Sequence, residues 1–309
     1  QSAQYALAIS NFENSKESPK RYNFGFIAST DDHTARPGTG YKQYERRKMT
    51  FATGVKSKMW EYQYEAEDPN FPEIPKITPG ESQPDSERVS SFVYPGGILA
   101  VHANGRGKDE IWTALKNKNV YGTSGPRILL WFDLINSPEG QVPMGTEIIM
   151  SQNPRFTVRA AGSFKQNKGC SDESIDSLSS ERLEYLCAGE CYNPSNEREV
   201  IEKIEIIKIT PQNYAGEAVS PLIQDPWKTI PCQGTGECIV EFEDQDFTRD
   251  SVYYVRAIQE ATLAINGASL IQRDQFKLCK GSFRTDLNDN CLSATNERAW
   301  SSPIYVNKP

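Results

Sequence analysis

The chain has 309 residues, 37% of them hydrophobic, with a formal net charge of −7 and a pI of about 5.2. This acidity, without a basic stripe in the sequence, excludes a nucleic-acid backbone as the main partner. No apolar run is long enough to cross a bilayer, and the length is typical of one large domain or two ordinary ones.

The first predicted elements are a helix and a buried strand. A helix is predicted over residues 3–12, because Tyr5, Ile9 and Phe12 fall on one of its faces. The apolar run at 22–29 is then predicted to form a short buried strand. A helix followed by a buried strand is typical of an α/β unit, so we expect the start of the chain to be α/β.

A carboxylate and an imidazole follow this strand, in the sequence Asp31-Asp32-His33. Alternate residues of an extended chain point to the same side. Asp31 and His33 can therefore project together, while Asp32 points elsewhere. Such a pair at the carboxyl end of a strand forms one half of a metal or catalytic site. The alternative is that the two aspartates cap a turn and His33 lies on the surface.

The Gly/Pro loop at 35–40 lacks the glycine pattern and the Gly-Lys-Ser/Thr sequence of a phosphate-binding loop. Arg36 in this loop is a candidate contact for a substrate anion, and the alternative is an exposed arginine without a ligand. The stretch that follows, 42–95, is polar and interrupted by prolines. This composition predicts a long surface excursion.

A second α/β unit is predicted from residue 97 onwards. Residues 97–103 form a short apolar strand, and 109–118 form an amphipathic helix. Acidic residues in the first turn of this helix and lysines at its end match the helix dipole. The face predicted to point inward carries Ile111, Trp112 and Leu115.

Three residues of this unit are candidate contacts for a substrate. His102 lies at the end of the strand at 97–103, and the alternative is a histidine whose hydrogen bonds are satisfied in the core. Arg106 lies in the loop before the helix, and Arg127 follows the helix in the sequence Thr-Ser-Gly-Pro-Arg. With Arg36, these residues would contact a small anionic substrate.

From residue 125 the pattern changes to short strands with polar connections. Many of these strands alternate apolar and polar residues, and helical periodicity is sparse apart from a turn at 179–185. Several short strands with Gly- and Pro-bearing connections predict a β-sandwich-like domain over 125–309. The strands are predicted at 127–135, 146–150, 155–161, 203–210, 237–243, 252–259 and 303–307.

All seven cysteines lie in the second half of the chain, in polar surroundings. Close pairs of loop cysteines are typical of disulfides in an oxidising compartment. A zinc knot is the alternative, but no histidine accompanies the cysteines and their spacings are irregular. The simplest pairing joins two local pairs and leaves three cysteines to share one bridge: Cys232 with Cys238, Cys279 with Cys291, and one bridge among Cys170, Cys187 and Cys191.

The sequence begins at Gln1 and not at a methionine, and it carries no signal peptide. We therefore expect that an upstream segment has been removed. No Asn-X-Ser/Thr site has a permitted middle residue. Together with the expected disulfides, these features favour a bacterial exported protein, periplasmic or secreted.

Several segments of the chain resemble the DUF3604 family, a group named for a domain of unknown function and related to the PHP (polymerase and histidinol phosphatase) metallohydrolases. The sequences Thr-Ser-Gly-Pro-Arg and Ala-Trp-Ser-Ser-Pro carry the most specific part of this resemblance, which spans nearly the whole chain. The matching segments are 24–33, 97–101, 111–116, 121–128 and 297–304.

The resemblance implies a PHP-like α/β barrel, of which residues 1–124 would be the C-terminal part. It also implies that Asp31 and His33 form the last metal-binding motif, Asp-x-His, of a site for two or three divalent ions. A carboxylate and an imidazole both suit Zn, Mn or Fe. In such sites the ions activate water as a nucleophile and neutralise the charge that develops on the substrate.

The chain departs from this pattern because it contains only two histidines. The first half of the family's barrel carries a His-x-His motif and most other ligands, so we expect the N-terminal half of the same precursor to be a separate chain or a missing segment. Relatives often have a tryptophan in place of His102, which therefore remains a candidate from its position alone.

Two functions are compatible with these features. The leading hypothesis is that the chain is part of an exported metal-dependent hydrolase acting on phosphoesters. The alternative is a catalytically inactive binding or scaffold protein of the cell envelope. The two are distinguished by whether a polypeptide with a His-x-His motif accompanies this chain.

Overall fold

The computed structural model describes residues 2–13, 19–29, 97–264 and 293–309. Several predictions concern residues outside this part of the chain and stay predictions. These predictions concern the metal motif, the arginine that follows it, the polar surface excursion and one cysteine pair: Asp31, His33, Arg36, 42–95, and Cys279 with Cys291.

Helices are short and few in the described part of the chain. They are α1 (Ser2–Ala8), α2 (Lys108–Lys116), α3 (Asp172–Ser177) and α4 (Ser180–Cys187), with a 3-10 turn at Ser220–Leu222. No helix in these ranges is long and apolar enough to span a membrane.

The strands are numbered in chain order. They are β1 (Ser10–Asn11), β2 (Lys20–Arg21), β3 (Ile98–Val101), β4 (Val120–Thr123), β5 (Leu129–Ser137), β6 (Gly140–Pro143), β7 (Glu147–Ile149), β8 (Arg155–Ala161), β9 (Phe164–Gln166), β10 (Pro194–Arg198), β11 (Ile201–Ile209), β12 (Ile223–Pro231), β13 (Glu237–Glu243), β14 (Ser251–Ala264), β15 (Ser293–Ser301) and β16 (Ile304–Asn307).

Two large sheets dominate the structure. An eight-stranded sheet has the order β12-β11-β14-β15-β4-β3, with β16 paired to β14 and to β7. A four-stranded sheet has the order β13-β8-β5-β6, and two small sheets pair β1 with β2 and β9 with β10. None of these sheets closes into a barrel within the described ranges.

The main core lies between the two large sheets. Alternate residues of β5 are buried, which is the pattern expected when one face of a strand packs inward. Phe156 of β8 stacks between Phe132 of β5 and Phe242 of β13, with ring centroids 5.4 and 4.9 Å away. Burial of each large apolar side chain contributes about 1.5–3 kcal/mol. The eight-stranded sheet supplies the facing residues, among them Ile204, Ile206, Tyr253 and Val255.

A second cluster covers the opposite face of the eight-stranded sheet, which we call the outer face. Leu7 and Ala8 of α1 are buried there, and Phe24 and Phe26 pack against the same cluster. The sheet contributes residues of β11, β14 and β16: Ile207, Ile209, Val252, Tyr254 and Tyr305.

The α/β barrel predicted for residues 1–124 is not supported in the described part of the chain. In the eight-stranded sheet the pairing of β7 with β16 is parallel and the other pairings are antiparallel. An α/β barrel requires parallel strands. Moreover, β4 ends at Thr123 and pairs with β15, so the sheet contains strands from both sides of the predicted domain boundary at residue 124.

The other secondary-structure predictions have mixed outcomes. The strands predicted in the second half are confirmed, with bounds that differ by a few residues. The first helix ends at Ala8, earlier than predicted, and the strand predicted at 22–29 is wrong because residues 22–29 pair with no strand.

The helix predicted at 109–118 is confirmed as α2, but its predicted inward face is wrong for Ile111 and Trp112. Asp109 and Glu110 in the first turn and Lys116 in the last turn match the dipole as expected. Ala114 is the residue of this helix that is buried, whereas Ile111 and Trp112 are exposed. Leu115 is half-buried, so two of the three residues predicted to point inward are exposed.

The predicted cysteine pairing is confirmed where the structure describes it. Cys232 is bonded to Cys238, and Cys170 is bonded to Cys191. One bridge among Cys170, Cys187 and Cys191 leaves one free thiol, and that thiol is Cys187. Disulfides are typical of proteins from oxidising compartments.

Candidate functional site

Residues 24–29, which we call the lead segment, come directly before the predicted metal motif. The structure describes this segment up to Ser29, two positions before Asp31. The segment runs across the outer face of the eight-stranded sheet without joining it as a strand. The contacts that hold the lead segment set the position from which the chain continues towards the motif.

Side-chain hydroxyl groups hold this segment by hydrogen bonds to its backbone, in place of the backbone hydrogen bonds that join neighbouring strands of a sheet. The Phe24 N–H donates to Tyr305 Oη at 2.8 Å, and that hydroxyl donates to the Phe24 carbonyl at 2.7 Å. The Phe26 N–H donates to Ser302 Oγ at 2.9 Å, and Ser302 donates to the Val120 carbonyl at 2.6 Å. Burial raises the pKa of Tyr305, so its hydroxyl remains a donor. These bonds fix the backbone of the lead segment.

Two glycines allow the end of the lead segment to touch the sheet. The Gly97 N–H donates to the Ser29 carbonyl at 2.9 Å, next to the start of β3. A Cβ atom at Gly97 would lie 2.5 Å from Ala28 Cβ, and one at Gly122 in β4 would lie 2.8 Å from the same atom. Real Cβ atoms do not approach so closely, so both positions require glycine for this contact.

A cavity of about 510 Å³ lies between the lead segment, α1 and the outer face. Its size falls within the range of small-molecule sites. Rings form much of its lining, and the Phe26 and Tyr254 rings meet edge to face with centroids 5.0 Å apart. The aromatic lining residues are Phe24, Phe26, Tyr254 and Trp300.

The polar end of this cavity is a balanced network of charges. Gln4 Nε2 donates to Asp225 Oδ2 at 2.6 Å and to Tyr254 Oη at 2.7 Å. The Arg256 guanidinium pairs with Asp225 and, at 2.8 Å, with Glu205. Glu205 also pairs with Lys203 at 2.8 Å, so two cations face two carboxylates. Burial raises the pKa of Tyr254 to about 12, so this phenol is neutral at physiological pH. The cavity therefore suits an uncharged group better than an anion.

His102 lies at the opposite end of β3 from the lead segment. Gly97 precedes this four-residue strand and His102 follows it, so five steps of extended chain place them about 16 Å apart. His102 Nε2 is 2.8 Å from the Leu130 carbonyl, to which it donates. Its ring contacts those of Tyr121 and Trp131 at 5.3 and 5.7 Å between centroids. The structure thus gives His102 the contacts of a core histidine, and its contact with substrate stays a prediction.

The two arginines of the second predicted unit are both exposed. Arg106 lies in the loop before α2. The Arg127 guanidinium stacks on the Tyr192 ring, 3.8 Å from its centroid. Stacking uses the face of a guanidinium and not its N–H groups. A role of either residue in binding an anion stays a prediction.

Sequence reasoning did not single out Glu297, which is only 6% exposed. The Ser124 hydroxyl donates to the Glu297 carboxylate and accepts from the Arg298 N–H at 2.9 Å. Burial raises the pKa of Glu297 to about 7, against the opposing effects of the Ser124 hydrogen bond and the Arg298 charge. The sequence offered one indication of this contact, because Ser124 and Glu297 both lie in segments that carry the family resemblance.

Glu297 and the lead segment lie on opposite faces of the sheet. Strand alternation places Glu297 on the same face of β15 as Ala299, which belongs to the main core. Trp300, on the other face, packs with the lead segment's cluster. Glu297 is therefore not part of the outer-face cavity.

Comparison with known proteins identifies a family. A family model described as "Protein of unknown function (DUF3604)" matches residues 11–167, just over half of the chain. The matched range includes the lead segment and strands β3 and β4, whereas β15 and β16 lie beyond it. No curated protein and no solved structure matches the chain.

Proposed function

The chain belongs to the DUF3604 family, and from this premise we propose that it is part of an exported metal-dependent hydrolase that acts on phosphoesters. Asp31 and His33 are the proposed metal ligands. The observation that carries the proposal is the way in which the lead segment is fixed immediately before this motif. Functional side chains need a rigid support, because small displacements weaken both metal binding and catalysis.

The residues that fix the lead segment support this reading. Ser302 and Tyr305 hold its backbone from the end of the chain, and Gly97 and Gly122 let it lie against β3 and β4. All but Tyr305 lie in the segments that carry the family resemblance. The part of the sequence that is typical of the family thus supports the chain just before the Asp-x-His motif.

The donor set fits a divalent transition metal. A carboxylate oxygen and a neutral imidazole nitrogen suit Zn, Mn or Fe. Two ligands are fewer than the four that a zinc ion takes, so further ligands must come from elsewhere. When bound, the metal supplies an activated water and neutralises charge on the phosphoryl oxygens. The proposed roles of this chain are to position the two ligands and to bind the substrate.

The remaining ligands are proposed to come from the N-terminal half of the same precursor. The exposed side of α2 supports a partner of this kind, because Trp112 is 58% exposed and Ile111 is 38% exposed on the same helix. Exposed apolar side chains that are adjacent in this way are typical of a surface that another segment covers.

The outer-face cavity is proposed to hold the uncharged part of the substrate. Its aromatic lining and its balanced charges suit an apolar or aromatic group. The phosphate would then be held by the metal and by three arginines: Arg36, which follows the motif in the sequence, and the exposed Arg106 and Arg127. Export, periplasmic or secreted, is proposed because the part of the chain that the structure describes contains two disulfides.

The test is the metal content of the purified protein, together with any polypeptide that remains bound to it, before metal is added. We expect about one or more equivalents of Zn, Mn or Fe in the wild type. Asp31→Ala and His33→Ala should each remove most of this metal and the phosphoesterase activity. Asp32→Ala is the matched control and should retain both, because in an extended chain Asp32 would point to the side opposite Asp31 and His33.

Two results would contradict the proposal. Equal metal content in all three variants would show that Asp31 and His33 are not ligands. Wild-type protein that lacks bound metal would favour the alternative function, an inactive exported binding or scaffold protein. Thermal unfolding of each variant shows whether a loss of metal reflects the site or the fold.

A further inference from the structure

Three cysteine sulfurs meet at the end of α4, although only two of them form a bond. The disulfide joins Cys170 to Cys191. The sulfur of Cys187 lies 2.7 Å from that of Cys191 and 3.7 Å from that of Cys170. Among the described residues Cys187 is the one free cysteine. A thiol is thus in direct contact with a disulfide.

The local fold holds the thiol in this place. Helix α4 begins after Ser179, whose hydroxyl accepts from the Arg182 N–H at 3.2 Å, and it ends at Cys187. Ala188 then takes a left-handed conformation, with φ of 49°. This reverses the chain, and the Glu190 N–H donates to the Cys187 carbonyl at 2.7 Å. Cys191, four residues after Cys187, is thereby brought back against the helix end.

The surroundings keep the thiol close to the disulfide. Cys187 is 8% exposed and packs with Leu183, and the disulfide sulfurs and Ala188 complete this small cluster. The Cys187 thiol also donates to the Leu183 carbonyl at 3.2 Å. Within this cluster, the disulfide sulfurs are the electrophiles that a Cys187 thiolate can reach.

We propose that Cys170, Cys187 and Cys191 form a thiol–disulfide exchange site, in which Cys191 alternates between two partners. The Cys187 thiolate attacks Cys191 Sγ, a bond forms between these sulfurs, and the bond between Cys191 and Cys170 breaks. Cys170 leaves as a thiolate and takes up the proton that Cys187 released. The exchange therefore needs neither an oxidant nor a reductant.

The three sulfurs form a triangle and not a line, as the 3.7 Å between Cys187 and Cys170 requires. A rotation of the Cys187 side chain about its Cα–Cβ bond therefore precedes the attack. The resting pairing closes 21 residues of sequence, which include α3 and α4, whereas the alternative pairing closes four. Exchange would release α3 and α4 from their covalent closure and set free the thiol of Cys170, which is only partly buried.

This site can be tested by locating the free thiol. Wild-type protein, purified without reductant, is placed in acidic urea, where thiolates are protonated and exchange stops. Its thiols are then blocked with N-ethylmaleimide and its peptides are analysed by mass spectrometry. We expect a main form with Cys187 blocked and a second form, about 0.1–10% of the total, with Cys170 blocked and Cys187 bonded to Cys191. A block on Cys187 alone would overturn the proposal.

A variant gives an independent result. In Cys170→Ser protein treated with oxidised glutathione, we expect Cys187 and Cys191 to form an internal disulfide. Cys232→Ser is the matched control, because the bond it removes has no third cysteine beside it in the described part of the chain. There Cys238 should be recovered as a mixed disulfide with glutathione. Mixed disulfides or free thiols at both Cys187 and Cys191 in the Cys170→Ser variant would overturn the proposal.

Discussion

Replacing Asp244 with alanine is expected to lower the free energy of unfolding by about 3–5 kcal/mol. Asp244 follows β13 and is fully buried, and its Oδ2 lies 2.5 Å from Lys208 Nζ of β11. The Tyr253 hydroxyl of β14 donates to the same oxygen, and the Asp246 N–H donates to Oδ1 at 3.1 Å. Removing the carboxylate leaves a buried ammonium ion without its counter-ion.

The size of this effect follows from what remains after the change. Lys208 is only 8% exposed at its side chain, so water cannot solvate the ammonium. The Trp227 ring remains beside it, with the centroid 5.2 Å from the ammonium nitrogen. A cation–π contact contributes about 0.5–2 kcal/mol, which is less than the cost of an unpaired buried charge. Urea unfolding at neutral pH measures the loss.

Two comparisons separate this pair from ordinary surface charges. Glu197→Ala removes the partner of Lys165, whose ion pair is exposed on both sides, and should change stability by no more than about 1 kcal/mol. Lys208→Met combined with Asp244→Ala should recover part of the loss, because neither charge then remains buried. If the double variant lost the sum of the two single effects, the residues would not act as a coupled pair.

The strands of the second half were predictable because their residues alternate. In β8, Phe156, Val158 and Ala160 are buried and the residues between them are not, and period-two burial leaves this signal in the sequence. Strand β12 lacked this alternating pattern, because Asp225 and Pro226 interrupt it. The strand lies at the edge of its sheet, where proline is tolerated. The disulfide between Cys232 and Cys238 was predictable from their local spacing.

The arrangement of strands and the support of the lead segment were not predictable. β15 lies between β14 and β4 in the sheet, and such long-range neighbours leave no periodic pattern in a single sequence. The lead segment is apolar and resembles a strand, yet its backbone bonds to the side chains of Ser302 and Tyr305, more than 270 residues away. The sequence identified the candidate motif, while the contacts that hold the preceding chain came from the structure.

Replacing Glu297 with glutamine is expected to remove a loss of stability that the wild type shows as pH rises. Burial raises the pKa of Glu297 from 4.5 to about 7 in the folded chain. Between these values the native state retains the proton and the unfolded state releases it, so stability falls with increasing pH. The stability that the protonated Glu297 side chain retains is fully present below about pH 4.5 and is lost above about pH 7. At 1.36 kcal/mol per pKa unit, the total is about 3 kcal/mol.

Glutamine resembles the protonated acid, because its amide oxygen can still accept from Ser124 and it carries no charge at any pH. The variant should therefore be more stable than the wild type by about 3 kcal/mol at pH about 8 and similar to it at pH about 4.5. Urea unfolding across this range measures the difference, with Glu197→Gln as an exposed control that should follow the wild type. Parallel pH profiles for wild type and Glu297→Gln would mean that the Glu297 carboxylate is already charged in the folded chain at acidic pH. In that case the Ser124 hydrogen bond and the Arg298 charge, and not burial, would control its ionisation.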